Sequence, residues 1–319
     1  MTIKNLDLIK RSYYNISLIK EMFAMKQIFI FFVVTLFISG CGNEGIKLPV
    51  EGNAGTQQSL ERTFDPINKP QKSAAVVKTQ GNPKSSYKAL IIGNSDYDYS
   101  KLQNPVNDAK AMSEKLVKIG FHVTQATNLN HQTMQETIQT FEQRLSVQDV
   151  ALFYFSGHGA QVNGKNFLIP VDNDDIKENN LENKAVSAQN VLAIMKNTNK
   201  GMNILILDAC RNNPYDGSEK SNYRGLARVS PPRGALIAFA AAPGQPASDG
   251  DGLNGLYTTH LLKALDNAQH KRIEDVFMEI RDPVFKESKK KQEPWYQASL
   301  REPFCFGGCS VVNSTSDDF

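Results

Sequence analysis

Two apolar stretches that end in reactive side chains decide the fold of this chain: ALFYFSGHG at residues 151–159 and NILILDAC at residues 203–210. Each is a run of large hydrophobic residues, which is typical of strands buried on both faces of a parallel sheet. Open α/β sheets bind their ligands at the carboxyl ends of such strands. There the first stretch carries His158 between two glycines, and the second ends at Cys210. The two strands therefore predict a site with an imidazole and a thiol.

The remaining hydrophobic pattern alternates between strands and helices. Strand-like runs occupy 87–93, 121–128, 166–172 and 234–242, and we expect a final edge strand at Phe304–Phe306. Amphipathic helical spacing is found at 108–120, 134–145, 187–195, 255–265 and 274–285. Strands that alternate with helices predict an α/β domain with a largely parallel sheet and helices on both faces.

Composition sets broad limits on the class of protein. A chain of 319 residues with 40% hydrophobic and 22% charged residues is ordinary for a globular protein with a sizeable core. The 36 basic and 33 acidic residues leave a net charge of only +3. This balance gives no reason to expect a nucleic-acid partner, since such proteins concentrate positive charge on one face.

An apolar segment near the N-terminus is typical of an export signal. Residues 28–38 are apolar, follow Lys26, and are too few to span a bilayer. Ile38-Ser39-Gly40-Cys41 resembles the bacterial lipoprotein box, which predicts a signal peptide at 1–40, with Met25 as a second candidate start, and a lipid on Cys41. The alternative is a secretory signal with an incidental cysteine. Since Gly42 follows the cysteine, we expect a bacterial envelope protein on the periplasmic face of the outer membrane.

The lipid candidate is followed by a segment that is poor in large apolar residues. Residues 41–84 cannot bury enough surface to offset the entropy of ordering, so we expect a lipid anchor and flexible linker there. The folded domain is predicted at 85–310 and a disordered tail at 311–319. Cys305 and Cys309 flank a flexible Phe-Gly-Gly and could form a disulfide in an oxidising compartment, or could remain unpaired. A disulfide would leave Cys210 as the free thiol.

His158 and Cys210 each have a purely structural alternative. A lone histidine in a glycine turn or a cysteine at a strand end is usually inert, but parallel neighbouring strands would bring the two together. A thiol beside an imidazole loses its proton more readily and becomes a nucleophile. A thiol redox protein is disfavoured, because Cys210 has no second cysteine at C-x-x-C spacing.

The motifs around these residues resemble one family of enzymes. YFSGHG (154–159) and LDAC (207–210), together with ALIIGNSDY, LQNPVNDAKAM and ASDGDGLNGLYTTHLL in the same order, are similar to the caspase/metacaspase superfamily of cysteine peptidases. The resemblance covers roughly residues 85–306. It implies a three-layer sandwich with a mostly parallel six-stranded sheet. It also implies a protein or peptide substrate and no metal or organic cofactor, although activation by calcium is consistent with metacaspase-like proteins.

The resemblance also implies roles for individual residues. Cys210 would attack the peptide carbonyl, His158 would act as general acid and base, and the amides of Gly159 and Cys210 would bind the oxyanion. By position, Asp108, Ser156 and Asp208 match the substrate pocket of metacaspases, which predicts cleavage after Arg or Lys. Asp108 could equally serve only to stabilise a helix N-terminus.

Two departures from the family pattern concern the pocket and activation. Cys210 is followed by Arg211 and Asn212 where a small residue and glycine are common, and Pro105 replaces a cysteine.

Together, the lipoprotein box, the two strand-end residues and the family resemblance predict a membrane-tethered cysteine endopeptidase. The alternative is a catalytically silent caspase-like interaction module on the cell envelope. The oligomeric state is open.

Overall fold

A nine-stranded mixed sheet forms the centre of the computed structural model, which describes residues 75–210, 226–243, 245–250 and 252–309, with the backbone alone at Cys210. The expected signal peptide, Cys41, the linker up to residue 74 and the tail at 311–319 lie outside the described residues. The strands are β1 (Val76–Gln80), β2 (Tyr87–Gly93), β3 (His122–Thr127), β4 (Val150–Val162), β5 (Lys165–Leu168), β6 (Val186–Ser187), β7 (Met202–Cys210), β8 (Ala235–Phe239) and β9 (Trp295–Ser299).

The strand order is β1-β3-β2-β4-β7-β8-β9. Strands β3, β2, β4, β7 and β8 run parallel to one another, and β1 and β9 are antiparallel strands at the two ends. The end of β4 also pairs with β5, which pairs with β6. The expected α/β class is confirmed. The sheet is mixed, with five parallel strands at its centre, so the expectation of a mostly parallel six-stranded sheet is not confirmed.

Helices cover both faces of the sheet. A short 3-10 helix spans Glu178–Asn180. The α-helices are α1 (Pro105–Ile119), α2 (His131–Gln143), α3 (Leu181–Lys184), α4 (Ala188–Thr198), α5 (Leu256–Asp266), α6 (Ile273–Glu279) and α7 (Arg281–Glu287).

The central strand β4 shows why the chain forms three layers. Leu152 and Tyr154 pack in one hydrophobic cluster with α1, α5 and α6, whereas Phe153 and Phe155 pack in a second cluster with α2 and α4. Successive side chains of a strand point to opposite faces, so a continuously apolar strand needs a helical layer on each side. The three-layer arrangement is therefore confirmed.

The strands that the sequence analysis missed have weak hydrophobic patterns. β1 lies in the segment assigned to the linker and is almost entirely exposed, with Val76 and Val77 half exposed. β9 combines aromatic and polar residues that are mostly half buried. Each is held chiefly by its antiparallel backbone pairing with one neighbour, which a search for apolar runs does not detect.

Two expectations near the C-terminus are corrected. Phe304–Phe306 is not a strand, because Gly307 and Gly308 adopt positive φ and turn the chain, and Cys305 forms only an isolated bridge with Arg272. The helix expected at 274–285 is two helices that meet at Ile280. Pro283 has no backbone N–H to donate to residue 279, which interrupts the helical hydrogen bonds.

The C-terminal cysteines are joined. Cys305 and Cys309 form a disulfide, as their spacing suggested, and Phe304 and Phe306 beside it are buried in the core. Within the described ranges, no helix is both long and apolar enough to cross a membrane.

Replacing Gly93 by Ala should destabilise the fold. A Cβ at this last residue of β2 would lie 2.1 Å from the carbonyl oxygen of Pro105 and 2.7 Å from the Cβ of Ala109, so α1 would have to move away. We expect a loss of about 1–3 kcal/mol in the free energy of unfolding, measured in urea. Gly252→Ala is the matched control, since its nearest neighbouring atom would be 3.8 Å away. Equal stability of both variants would contradict this account.

Candidate active site

The parallel pairing of β4 with β7 aligns the two reactive residues. His158 is directly opposite Cys210, and Ser156 is directly opposite Asp208. Residues that are paired in this way lie about 4.8 Å apart across neighbouring strands. The backbone alone therefore places the histidine beside the cysteine, and an acidic position beside a serine, at the same end of the sheet.

The imidazole of His158 is buried and has one defined hydrogen-bond partner. Its Nε2 lies 2.5 Å from the carbonyl oxygen of Ser100, and His158 is only 3% exposed. Because a carbonyl can only accept, Nε2 carries the proton and donates it. Nδ1 is buried without a hydrogen-bond partner among the described residues, so its lone pair is free to accept a proton.

Burial keeps this imidazole in its basic, neutral form, and the Ser100 carbonyl fixes its orientation. Burial lowers the pKa of His158. The Ser100 carbonyl and the charge of Asp249 raise this pKa, but by less, so the pKa lies below its ordinary value. Ser100 itself adopts φ of 60°, a conformation that non-glycine residues rarely populate. This strained backbone presents its carbonyl to the imidazole, and such strain is common where a catalytic group is held in place.

Asp108 lies in the first turn of α1 and is almost completely buried next to β4. Its Oδ2 accepts a hydrogen bond from the Ser156 hydroxyl at 2.9 Å. Its Oδ1 accepts from the Asn254 side chain at 3.0 Å and from the Gly255 backbone N–H at 2.9 Å. The carboxylate is thus fixed by the strand and by the loop before α5. The Asp108 side chain thus takes part in this group of hydrogen bonds, and it also lies at the N-terminus of α1.

Asp208 is buried on the neighbouring strand and is fixed by α5. Its Oδ2 accepts a hydrogen bond from the Thr258 hydroxyl at 2.7 Å, and this hydroxyl also lies 2.5 Å from the hydroxyl of Tyr154. A Cβ built on Gly255 would be 3.1 Å from Oδ2 of Asp108 and 3.4 Å from Oδ2 of Asp208. The two carboxylates therefore face one glycine backbone from adjacent elements and form a buried acidic cluster.

The pKa values of this acidic cluster are unusual. Burial raises the pKa of Asp108 to about 6 in spite of its three hydrogen bonds. Burial, and then the charge of Asp108, raises the pKa of Asp208 to about 8. Asp249 also raises both pKa values, and its Oδ2 accepts the Gln103 N–H at 2.9 Å. Such carboxylates are stabilised in the charged form only by a nearby cation or further donors.

The family-model comparison assigns the folded part of the chain to one family. Residues 86–305 match the model of the caspase domain, Peptidase_C14. The chain belongs to the caspase domain family. This agrees with the resemblance of the two strand-end motifs to cysteine peptidases of that superfamily.

Individual relatives extend the comparison. Over 166 residues the caspase domain is 31% identical to mucosa-associated lymphoid tissue lymphoma translocation protein 1 from Homo sapiens, covering 50% of this chain and 20% of the relative. It is 24% identical over 274 residues to a probable protease from a Desulfuromonadales bacterium, covering 71% of this chain and 33% of the relative. The chain therefore spans a third or less of the length of these relatives.

A solved structure has the same fold. Caspase-1 from Spodoptera frugiperda superposes with a TM-score of 0.52 at 17% identity, covering 70% of this chain and 92% of the other. At this level of identity the likeness establishes the architecture of the caspase domain and nothing about its substrates.

The structure brings the predicted residues together and adds others. Asp108, Ser156 and Asp208 converge, and the backbones of His158 and Cys210 are adjacent. Gly159 follows directly, where a Cβ would be 2.9 Å from the Cβ of Ala209, so close strand packing needs glycine. The sequence analysis gave no role to five supporting residues, although four of them lie in motifs that carry the resemblance: Tyr97 in ALIIGNSDY, and Asp249, Asn254 and Thr258 in ASDGDGLNGLYTTHLL. The fifth, Ser100, lies in a loop outside these motifs.

The acidic stretch 172–175 does not form a cation site. Oδ1 of Asp172 accepts the His131 N–H at 2.9 Å at the start of α2, and Asp175 pairs with Lys184 at 2.8 Å. Within the described part of the chain, no group of three His, Cys, Asp or Glu residues could hold a metal ion.

Replacing Asp208 by Asn should make the protein relatively more stable at alkaline pH. Because the pKa of Asp208 is higher in the folded protein than in the unfolded chain, the wild type loses stability as the pH rises from about 4 to about 8. The difference in the free energy of unfolding between variant and wild type should grow by at least about 1.4 kcal/mol across this range, equivalent to one pKa unit. Urea unfolding at several pH values measures it.

The control for this experiment is Asp174→Asn, at an exposed position. It should keep the pH dependence of the wild type. A difference between Asp208→Asn and wild type that is independent of pH would contradict the account of the acidic cluster.

Proposed function

We propose that this chain is a cysteine endopeptidase in which Cys210 and His158 form a catalytic dyad and the acidic cluster forms a substrate pocket that binds Arg or Lys. The observation that carries the proposal is the in-register pairing of His158 with Cys210 and of Ser156 with Asp208 on β4 and β7. Membership of the caspase domain family supports it independently.

The proposed reaction uses the free ring nitrogen of His158. Nδ1 takes the proton of the Cys210 thiol, and the thiolate attacks the substrate carbonyl to form a carbon–sulfur bond. The backbone N–H groups of Gly159 and Cys210 stabilise the oxyanion. As the peptide bond breaks, Nδ1–H protonates the departing amine. Water, deprotonated by the same nitrogen, then hydrolyses the thioester and regenerates the thiol.

The environment of His158 supports this assignment. Its lowered pKa keeps a proton acceptor present at neutral pH, and the hydrogen bond to Ser100 fixes the tautomer that leaves Nδ1 available. The same carbonyl stabilises the imidazolium once the thiol proton has been transferred, because it accepts a charge-assisted hydrogen bond.

The proposed specificity follows from the charge of the pocket. Asp108 and Asp208 are buried, carry no ion pair to a described basic side chain, and are accompanied by Asp249. A guanidinium or ammonium group supplies the positive charge that their ionised forms lack. An acidic side chain would meet like charges in a buried site, which costs several kcal/mol and excludes it.

Hydrolysis of fluorogenic peptides tests the function. Wild type should cleave after Arg, Cys210→Ala should be inactive, and Asp208→Asn should lower kcat/KM for Arg peptides by about 100-fold, since a buried charge partner is lost. Asp174→Asn is the control and should match wild type. Equal turnover by wild type and Cys210→Ala would refute the peptidase, and cleavage only after Asp would refute the acidic pocket. No turnover in any protein would favour the interaction module.

We also propose that the enzyme is lipid-anchored through Cys41 to the periplasmic face of the outer membrane. Cys41 lies outside the described residues, and the proposal rests on the lipoprotein-box sequence at 38–41. The Cys305–Cys309 disulfide supports it, because disulfides persist in oxidising compartments outside the cytoplasm.

Cell fractionation tests the anchor. In a bacterial host the wild type should sediment with the outer membrane, and Cys41→Ser should not be lipidated and should leave that fraction. Cys309→Ser is the control, because it removes a cysteine without touching the lipoprotein box, and it should remain membrane-bound. A Cys41→Ser protein that carries lipid and fractionates like wild type would contradict the anchor.

A further inference from the structure

His158 lies on β4 at the point where the neighbouring strand along one edge changes from β2 to β5. β2 ends at Gly93 opposite Ser156, and β5 pairs with β4 from Gly159 onwards. His158 is thus opposite Ile169, and the Ile169 N–H donates to the His158 carbonyl at 3.0 Å. In a regular antiparallel pair the His158 N–H would donate directly to the Ile169 carbonyl in return.

The hydroxyl of Tyr97 takes the place of that second bond. It accepts the His158 N–H at 2.8 Å and donates to the Ile169 carbonyl at 3.2 Å. The Ile169 carbonyl also accepts from the Asn94 side chain at 3.3 Å. A side-chain oxygen is therefore inserted between two backbone groups that would otherwise bond each other, and the two chains are held apart at the histidine.

Packing fixes the hydroxyl in this position. Tyr97 is fully buried, and its ring centroid lies 4.4 Å from that of the His158 imidazole. A Cβ on Gly157 would be 2.4 Å from the Tyr97 hydroxyl oxygen, so only glycine leaves room for it. Packing against Tyr97 thus explains why the first residue of the GHG motif is glycine, and this explanation does not involve the substrate.

We propose that Tyr97 is a positioning residue, whose hydroxyl holds the His158 backbone away from Ile169 and at the distance from Cys210 that proton transfer needs. This inference rests on the proposed function. His158 is then held at two points: Tyr97 fixes its backbone and Ser100 fixes its ring. Without the hydroxyl, the His158 N–H can bond the Ile169 carbonyl directly only if the histidine backbone moves.

The Tyr97 hydroxyl has separable effects on catalysis and on folding. In Tyr97→Phe the ring remains in the core and the His158 N–H can regain a partner by closing the strand pair. Stability should then change little, whereas small displacements of a catalytic group lower the rate of the chemical step. A residue that served only the fold would lower stability and would leave the ionisation of Cys210 unchanged.

The test compares Tyr97→Phe with wild type in full-length protein by two measurements. For Arg peptides kcat should fall at least tenfold with KM within twofold, because the pocket at Asp108 and Asp208 is untouched. Alkylation of Cys210 by iodoacetamide, followed by mass spectrometry across pH, should show a higher apparent pKa for the thiol, because its proton acceptor is displaced. Tyr87→Phe on β2 is the matched control, since the Tyr87 ring packs against Phe121 and Phe304, and it should match wild type.

Each outcome is decisive. An unchanged kcat and an unchanged alkylation profile in Tyr97→Phe would overturn the proposal, and so would loss of the folded state in thermal unfolding, which would assign the hydroxyl to stability. If wild type cleaves no peptide but Tyr97→Phe still shifts the alkylation profile, the positioning role stands and the proposed function fails.

Discussion

The register between β4 and β7 is the constraint on which the rest of the site depends. Because side chains alternate along a strand, a slip of one residue would exchange the faces of every β4 side chain and separate His158 from its position opposite Cys210. Both strands are apolar on both faces, and each face meets its own helical layer. A slip would therefore disturb two hydrophobic cores at once. The packing that stabilises the domain and the alignment that assembles the site are thus enforced by the same side chains.

Alternation along these strands also explains why the proposed dyad and the proposed substrate pocket are neighbours. Ser156 and Asp208 precede His158 and Cys210 by two residues, so the same pair of strands provides both pairs of positions. The strands alone do not complete the site. Gly93 allows α1 to approach closely enough for its first turn to deliver a carboxylate, and the loop before α5 donates hydrogen bonds to it.

The sequence predicted the parts of the molecule that carry strong periodic or motif signals. Continuous apolar runs identified the central strands, and the alternation with helices identified the layers. The edge strands β1 and β9 were missed because backbone pairing, not an apolar run, holds them. The same distinction applies to the site. His158, Cys210 and Asp208 could be found at strand ends. Tyr97 ends the motif ALIIGNSDY, but the contacts of its hydroxyl with the His158 N–H and the Ile169 carbonyl could not be predicted. These contacts, like that of the Ser100 carbonyl with the imidazole, depend on a loop conformation that long-range packing determines.

The raised pKa values of the two pocket carboxylates have a consequence for how the pocket responds to its surroundings. At neutral pH Asp208 retains a proton that an ordinary aspartate would have released, whereas Asp108 is mostly ionised. On the proposed specificity, a cationic side chain that binds between Asp108 and Asp208 displaces the Asp208 proton into the solvent, so protons and substrate compete for the same oxygens. Acidity would then act as a competitive inhibitor of substrate binding, and the proposed selectivity for charge would be coupled to the pH around the protein.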